Sequence, residues 1–287
     1  MQVKREEDPL ISDLLKNWLD FMEQRSVRPT SLGMYKSQIS NYIEPLLGEI
    51  PAKKLAASVG KKFAVQLEKE EGLSPKTARD VVAKLYQAMR WGAEQGYDIP
   101  QLQKPIKRKN NTGPSRTLSV EEQRLVEKGL MQTSEALRNA ILLALKAGLT
   151  VGELCALTYE DIDHEQGMIR IHRICQRTSG GLDYLECEAR TVPFPQDLSY
   201  GGKGPHIGFY LLSPRRSPLE PRLCQFWLKR YLEEWELPED ITFSALRNTY
   251  IKNLMESGVD FIEVSRRSGN KNLNDLWQKF GQFYKSA

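Results

Sequence analysis

Apolar residues recur at helical spacing along most of the chain. In "LISDLLKNWLDFMEQR", Leu10, Leu14, Leu15, Trp18 and Phe21 share one face, which predicts a first helix. "RPTSLGMYKSQISNYIEPLLG" predicts a second, with Thr30 or Ser31 as its N-cap and Gly48 as its stop. A third lies near residues 57–71. The fourth opens in "LSPKTARDVVAKLYQAMRWGAEQG", with Ser74 as cap, Pro75 at the first helical position and Gly96 as the stop. Together these make a small four-helix module.

The periodicity then breaks. "PQLQKPIKRKNNTGPSR" mixes Pro, Gly and Asn with a basic run, the composition of a linker. Helical patterning resumes behind a Ser-x-x-Glu capping box at Ser119 and Glu122. One helix runs into Gly148 and a short one restarts at Val151. "GMIRIHRIC" and "ARTVPF" are expected strands, separated by "QRTSGGLDYLECE", and helical segments return at "LEPRLCQFWLKRYLEEW", "SALRNTYIKNLMESG" and "DFIEVSRRSG". The expected fold is mainly α: a helical domain over 1–103, a basic linker over 104–116, and a larger helical domain with one small antiparallel β-sheet over 117–287.

Bulk properties narrow the class. A chain of 287 residues has room for two cores, and 40% hydrophobic with 27% charged residues is ordinary for a soluble globular protein. The longest apolar runs, such as "AILLALKAG", fall far short of the roughly 20 residues of a membrane span, so no membrane partner is expected. The first residues, charged and acid-containing, do not resemble a secretory signal, and cytoplasmic residence is the expectation. Cys155, Cys175, Cys187 and Cys224 lack CxxC spacing, and His164, His172 and His206 form no helical pair, so reduced thiols and no metal are expected. Charge is unevenly placed: residues 1–110 carry 19 Lys/Arg against 14 Asp/Glu, the remainder 22 against 23. A basic first third suits a phosphate-backbone partner or a solvated lysine-rich surface.

Several stretches, in order, resemble one family. "AGLTVGELCALTYEDID" is similar to the "TGLRxGELxxLxWxDID" segment of tyrosine recombinases of the phage integrase type. "ARTVPF" resembles the end of that family's hairpin, and "ITFSALRNTYIKNLMESGVDFIEVSRRSGN" its "HxLRHTFAT…GVD…LGH" segment. The first four helices resemble its SAM-like core-binding domain. The resemblance implies a DNA clamp in which a tyrosine attacks a phosphodiester, two arginines grip the phosphate, and histidines and a hairpin lysine handle protons, with no cofactor.

Carried over residue by residue, the resemblance leaves gaps. The first arginine falls on Thr150, with the acid of the same motif kept as Glu153. The hairpin lysine falls near Tyr184–Glu186, where no lysine stands. The histidine of HxxR is Ser244 and its arginine is Arg247; the histidine of LGH is Asn270; the nucleophile position is Phe280. Five of these seven positions lack the expected chemistry. Tyr284, one helical turn past Phe280, is a candidate displaced nucleophile or an aromatic that packs on its own domain or a neighbour's. Arg247 is either a phosphate contact or a helix-surface ion-pair residue, and Glu153 is expected to bond backbone at the junction.

Phosphate contact needs only cations and helix-end donors. Candidates are Arg28, Thr30, Ser31, Tyr35 and Lys36 at one helix start, and Ser74, Lys76, Thr77, Arg79 and Lys84 at another. Lys104, Lys107, Arg108 and Lys109 of the linker would cross a duplex held between two domains. Three functions compete on these residues: a non-cleaving member that binds double-stranded DNA as accessory, competitor or regulator at a mobile-element site; an active recombinase with unconventional residues; and a protein-contact module. Its C-terminal "LWQKFGQFY" could meet a second copy or an active recombinase.

Overall fold

A computed structural model describes residues 8–25, 27, 29–102, 115–178, 181–198, 210–213 and 218–284. The chain divides into two compact units, Met1–Asn110 and Asn111–Ala287.

The first unit is helical: α1 (Ile11–Gln24), α2 (Pro29–Gln38), α3 (Glu44–Leu47), α4 (Val59–Lys69) and α5 (Pro75–Glu94). Its core joins Ile11, Leu14, Leu15 and Trp18 of α1 to Phe63 and Leu67 of α4 and to Val81, Val82, Leu85 and Met89 of α5. These are the i, i+3, i+4 stripes of each helix, buried against one another. Ser74 caps α5 by accepting from the Thr77 amide, with Pro75 at the first position, as its sequence predicts. The second expected helix differs. Its start lies at Pro29, so Thr30 and Ser31 sit inside the first turn and neither is the cap. Its middle widens into a π-helical turn over Ile39–Ile43 before α3, which puts Ile39 and Ile43 both into the core.

The second unit contains α6 (Val120–Leu130), α7 (Glu135–Ala147), α8 (Val151–Ala156), β1 (Ile162–Asp163), β2 (Met168–Thr178), β3 (Gly181–Pro193), α9 (Pro221–Glu234), α10 (Phe243–Glu256), α11 (Phe261–Ser268) and α12 (Leu273–Phe280). The strands form one antiparallel sheet in the order β1-β2-β3. The hairpin is longer than its apolar runs predict, because "QRTSGGLDYLECE" contributes to both strands; pairing runs from Met168 opposite Pro193 to Thr178 opposite Gly181, with a bulge between Ile171 and Arg173. Arg116, at the end of the expected linker, belongs to this unit's frame: it clamps Glu122 through both terminal nitrogens and Asp240 through Nε at 2.9 Å. Ser119 and Glu122 form the expected capping box.

Two cores fill this unit. The larger packs α7, buried nearly all round, against α8, α9 and α10. The smaller gathers Tyr250, Ile251, Met255, Val264, Leu276 and Phe280 from α10, α11 and α12. Cys155, Cys175 and Cys224 are buried free thiols, the first and last 3.6 Å apart, while Cys187 is half-buried. Two glycines set the α7–α8 turn. Gly148 ends α7 with φ +70°, and a Cβ there would stand 2.4 Å from the Tyr250 ring. Gly152 lets α8 lie against β2, where a Cβ would meet the Cys175 carbonyl oxygen at 2.9 Å.

Gly148→Ala adds a left-handed penalty to a clash with a buried ring, so it should lower unfolding free energy by about 2–4 kcal/mol in a urea titration. A loss under about 0.5 kcal/mol would show that the turn is not held in this conformation.

Candidate functional site

The turn between α7 and α8 is built by reciprocal capping. Thr150 is the N-cap of α8: its hydroxyl accepts from the Glu153 amide at 3.3 Å, and its own amide donates to Glu153 Oε2 at 2.7 Å. A short polar residue suits this place because α8 begins with unpaired N–H groups. Glu153 therefore bonds backbone at the junction, as expected.

Its carboxylate does more than cap. Arg190, on β3, meets it side by side, Nη1 to Oε1 at 2.5 Å and Nη2 to Oε2 at 3.0 Å. The two side chains are only 9% and 8% exposed. The third Arg190 nitrogen, Nε, donates to the Arg267 carbonyl at 3.0 Å at the end of α11. Arg247, 15% exposed, lies 3.8 Å from Glu153 Oε2 and donates to the carbonyls of Gly148 (3.3 Å) and Ser268 (2.6 Å). Burial on its own would raise the Glu153 pKa; the Arg190 hydrogen bonds and charge, the Thr150 amide and the Arg247 charge outweigh it and hold the carboxyl below its ordinary value. One buried anion thus ties the α7–α8 turn to the hairpin, α10 and α11. Arg190 escaped the reading of the sequence; the signal was an arginine two residues before Val192-Pro193, meaningful only once the hairpin register is known.

Two cavities flank this centre. One, about 380 Å³, is lined by Thr150, Gln225, Lys229, Thr242, Ser244 and Arg247 among others. It brings together three of the positions singled out above, Thr150, Ser244 and Arg247. Arg247 is mostly buried rather than a surface ion-pair residue, and it donates one N–H of each terminal nitrogen to a carbonyl. The other cavity, about 320 Å³, is lined by Glu153, Glu188, Arg190, Asn270 and Lys271 among others. Asn270 is held by its backbone, whose carbonyl accepts from Ser265 at 2.6 Å, and its amide donates to Ser268 Oγ at 3.1 Å.

The remaining positions lie apart from both cavities. Phe280 is 2% exposed, a core residue of the smaller cluster. Tyr284 packs edge-on against Phe261 and Trp277, at 6.5 and 5.9 Å between ring centres. In the hairpin, Tyr184 stacks on Tyr210, with burial pushing its pKa up, and Glu186 pairs in register with Arg173. His172 binds Asp161 at 2.8 Å in a network with Thr158 and Arg173, and lines neither cavity.

In the first unit the two candidate contact sets meet. Lys84 of α5 lies over the Tyr35 ring of α2, 4.2 Å from its centre. Lys36 pairs with Glu23 at 3.5 Å, and the hydroxyls of Ser74 and Thr77 are bonded to each other at 2.9 Å. Lys76 is exposed, whereas Thr30, Ser31 and Arg79 are half-buried. Arg28, Lys104, Lys107, Arg108 and Lys109 lie outside the described residues. Among the described residues no group of three His, Cys, Asp or Glu could hold a metal ion, and no helix is long and apolar enough to cross a membrane.

The α7–α8 turn, the hairpin and the Ser244-to-Arg247 helix all lie within one segment that matches a known family. The chain belongs to the phage integrase family: residues 121–282 match the family's model and residues 10–67 match that of the phage integrase N-terminal SAM-like domain. It is 26% identical over 273 residues to tyrosine recombinase XerA of Thermococcus onnurineus, covering 92% of this chain and 89% of that protein. It is 27% identical over 185 residues to IntQ of Escherichia coli, a protein whose name calls it defective, covering 58% of this chain and 44% of that one. In fold it is similar to the Tn1549 transposon integrase solved in complex with transposon right-end DNA, with a TM-score of 0.78 and 21% identity over 97% of this chain and 95% of the other.

Glu153→Gln strands two buried guanidinium groups and should cost about 3–5 kcal/mol of stability at neutral pH; adding Arg190→Met should recover part of that loss. A double mutant no more stable than the single one would show that the pair is not coupled. Acid should act on the same linkage. Glu122, held at about 2 chiefly by Arg116, and Glu153 both have folded pKa values below the ordinary 4.5. Their stabilisation is complete above that value and is lost as pH falls through the folded values. Denaturant midpoints should therefore decline from about pH 4.5 towards 2, and Glu122→Gln should flatten that decline; an unchanged profile would remove Glu122 from the acid response.

Proposed function

We propose that this protein is a non-cleaving member of the family that binds double-stranded DNA, acting at mobile-element DNA as an accessory or regulator of recombination. The reading is carried by Phe280, a buried core residue at the position where the sequence resemblance puts the family's nucleophile. A phenyl ring offers no oxygen to attack phosphorus, so the covalent route has no starting atom. The rest of the site supports it. Thr150 has no charge, and its hydroxyl is used as a helix cap. Ser244 and Asn270 supply no imidazole. Each missing charge-stabilising donor is worth roughly 10²–10³ in rate, and the losses, though not additive, all run one way. The likeness to a relative named as defective agrees with this reading.

DNA binding rests on different residues. The basic first unit presents its cations without the catalytic centre, and relatives of the same fold were solved on DNA. The C-terminal segment, where Trp277 is 51% exposed and Leu273 40%, is a contact surface for a second copy or for an active recombinase.

A suicide substrate containing a nicked site should yield no covalent protein–DNA adduct; an adduct that disappears in Tyr284→Phe would overturn the inactive reading in favour of a displaced nucleophile. Thr150→Arg combined with Phe280→Tyr should still give no strand cleavage, because the lysine and both histidines remain absent. Gel shifts should show duplex binding that weakens steeply with salt. No binding at low salt would leave the protein-contact role standing alone.

A further inference from the structure

Three of the four cysteines meet in the larger core of the second unit, outside the candidate site. Cys155 comes from α8, Cys175 from β2 and Cys224 from α9, and each is at most 2% exposed. A buried thiol often serves only as a small apolar residue, which accounts for Cys175 well enough. Cys155 and Cys224 are placed differently. Their sulfurs face each other 3.6 Å apart, in van der Waals contact. From that separation small side-chain rotations reach bonding distance without a backbone shift.

Their place in the fold matters as much as their spacing. The cavity of about 380 Å³ beside Arg247 has Thr150 and Val151, at the start of α8, on one wall and Gln225, Leu228 and Lys229 of α9 on another. Gln225 directly follows Cys224, so the cavity brings small solutes to the neighbourhood of the pair. Cys155 lies two residues beyond Glu153 on the same short helix. A bond between the two sulfurs would therefore tie the helix that carries the buried anion to the opposite wall. In the reduced state the hydrogen bond with Cys224 and burial push the Cys155 thiol well above its ordinary pKa, which keeps it neutral and slow to react. Such a pair answers sustained oxidation and not brief exposure.

We propose that Cys155 and Cys224 form an oxidation-closed brace, in which hydrogen peroxide joins them in a disulfide that locks α8 to α9 across the wall of the cavity. One thiol sulfur attacks a peroxide oxygen as the O–O bond breaks, giving a sulfenic acid and one water. The second thiol attacks the sulfenic sulfur; the S–S bond forms, the S–O bond breaks and a second water leaves. Two thiols are oxidised and one peroxide is reduced to two waters, with no further reactant. The partners stand 69 residues apart in sequence, so the bond constrains a long loop of the unfolded chain.

The test uses the full chain carrying Cys187→Ser, which removes the half-buried competing thiol. Hydrogen peroxide is applied until Met131, 80% exposed, is fully converted to sulfoxide, an internal measure of dose. Peptide mapping after alkylation in denaturant should then find Cys155 joined to Cys224 within one chain. Dithiothreitol reopens a disulfide and leaves the sulfoxide. The oxidised chain should thus melt about 5–10 °C above the same sample after dithiothreitol. Adding Cys224→Ala should abolish that difference, and Cys155→Ala replaces it if the first variant fails to fold. Recovery of both thiols alkylated, once Met131 is fully oxidised, overturns the proposal. Linkage of either sulfur to Cys175 instead overturns the pairing, and a linked chain that melts no higher than its reduced form overturns the brace.

Discussion

The second unit depends on one buried anion. A carboxylate shielded from water is costly unless opposite charge and hydrogen-bond donors surround it, and Glu153 obtains both from the Thr150 amide, the Arg190 fork and the Arg247 charge. Each donor comes from a different element. Satisfying the carboxylate therefore fixes the start of α8, the lean of the hairpin, and, through the Arg190 and Arg247 bonds to Arg267 and Ser268, the end of α11. Buried ion pairs seldom add net stability over a well-packed apolar substitute, but they discriminate strongly against structures that leave the charge unpaired. Here that selectivity acts on the geometry of the two flanking cavities.

On the proposed non-cleaving reading, the same anion accounts for how a catalytic frame could outlast its chemistry. If Arg190 and Arg247 were held only by a bound phosphate, loss of the neighbouring groups would leave them as stranded charges and the site would be free to rearrange. Instead both are held by hydrogen bonds and charge from within the chain. Thr150 then needs only to cap, a task its hydroxyl performs, and Ser244 and Asn270 need only to fit. The core accepts Phe280 for a comparable reason: beside Tyr250, Met255 and Leu276 a phenyl ring gains from burial and leaves no hydroxyl to satisfy.

What was legible in the sequence follows the range of the interactions. Ser74 with Pro75, Ser119 with Glu122, and Gly148 before Val151 are signals completed within four residues, and all three stand in the structure as read. The start of α2 was misplaced because Pro29 can itself open a helix, leaving Thr30 and Ser31 as inner-turn residues. The π-helical turn at Ile39–Ile43 was invisible, since one extra residue only blurs a 3.6-residue period. Hairpin length was underestimated because β3 is polar along much of its course and its strand character comes from pairing rather than from apolar alternation. The ion triad was half legible. Glu153 and Arg247 carry family spacing, but Arg190 reaches them only through a register running from Met168 opposite Pro193, a non-local fact.

Binding and cleavage place different demands on such a fold, which bears on why one could persist without the other. Cleavage requires several groups to converge on one phosphorus within a fraction of an ångström, so a single wrong side chain is felt throughout the site. Attraction to a phosphate backbone is summed over many loosely placed cations, and each adds its own increment of counterion release. Among the described residues of the first unit, Lys84 lies over Tyr35, itself stacked on Trp18, and Lys36 pairs with Glu23, all supports from within that unit. None of the supports of these two lysines involves Thr150, Ser244, Asn270 or Phe280. Affinity for a polyanion and the loss of strand transfer are physically independent outcomes in this architecture, and selection could act on either one alone.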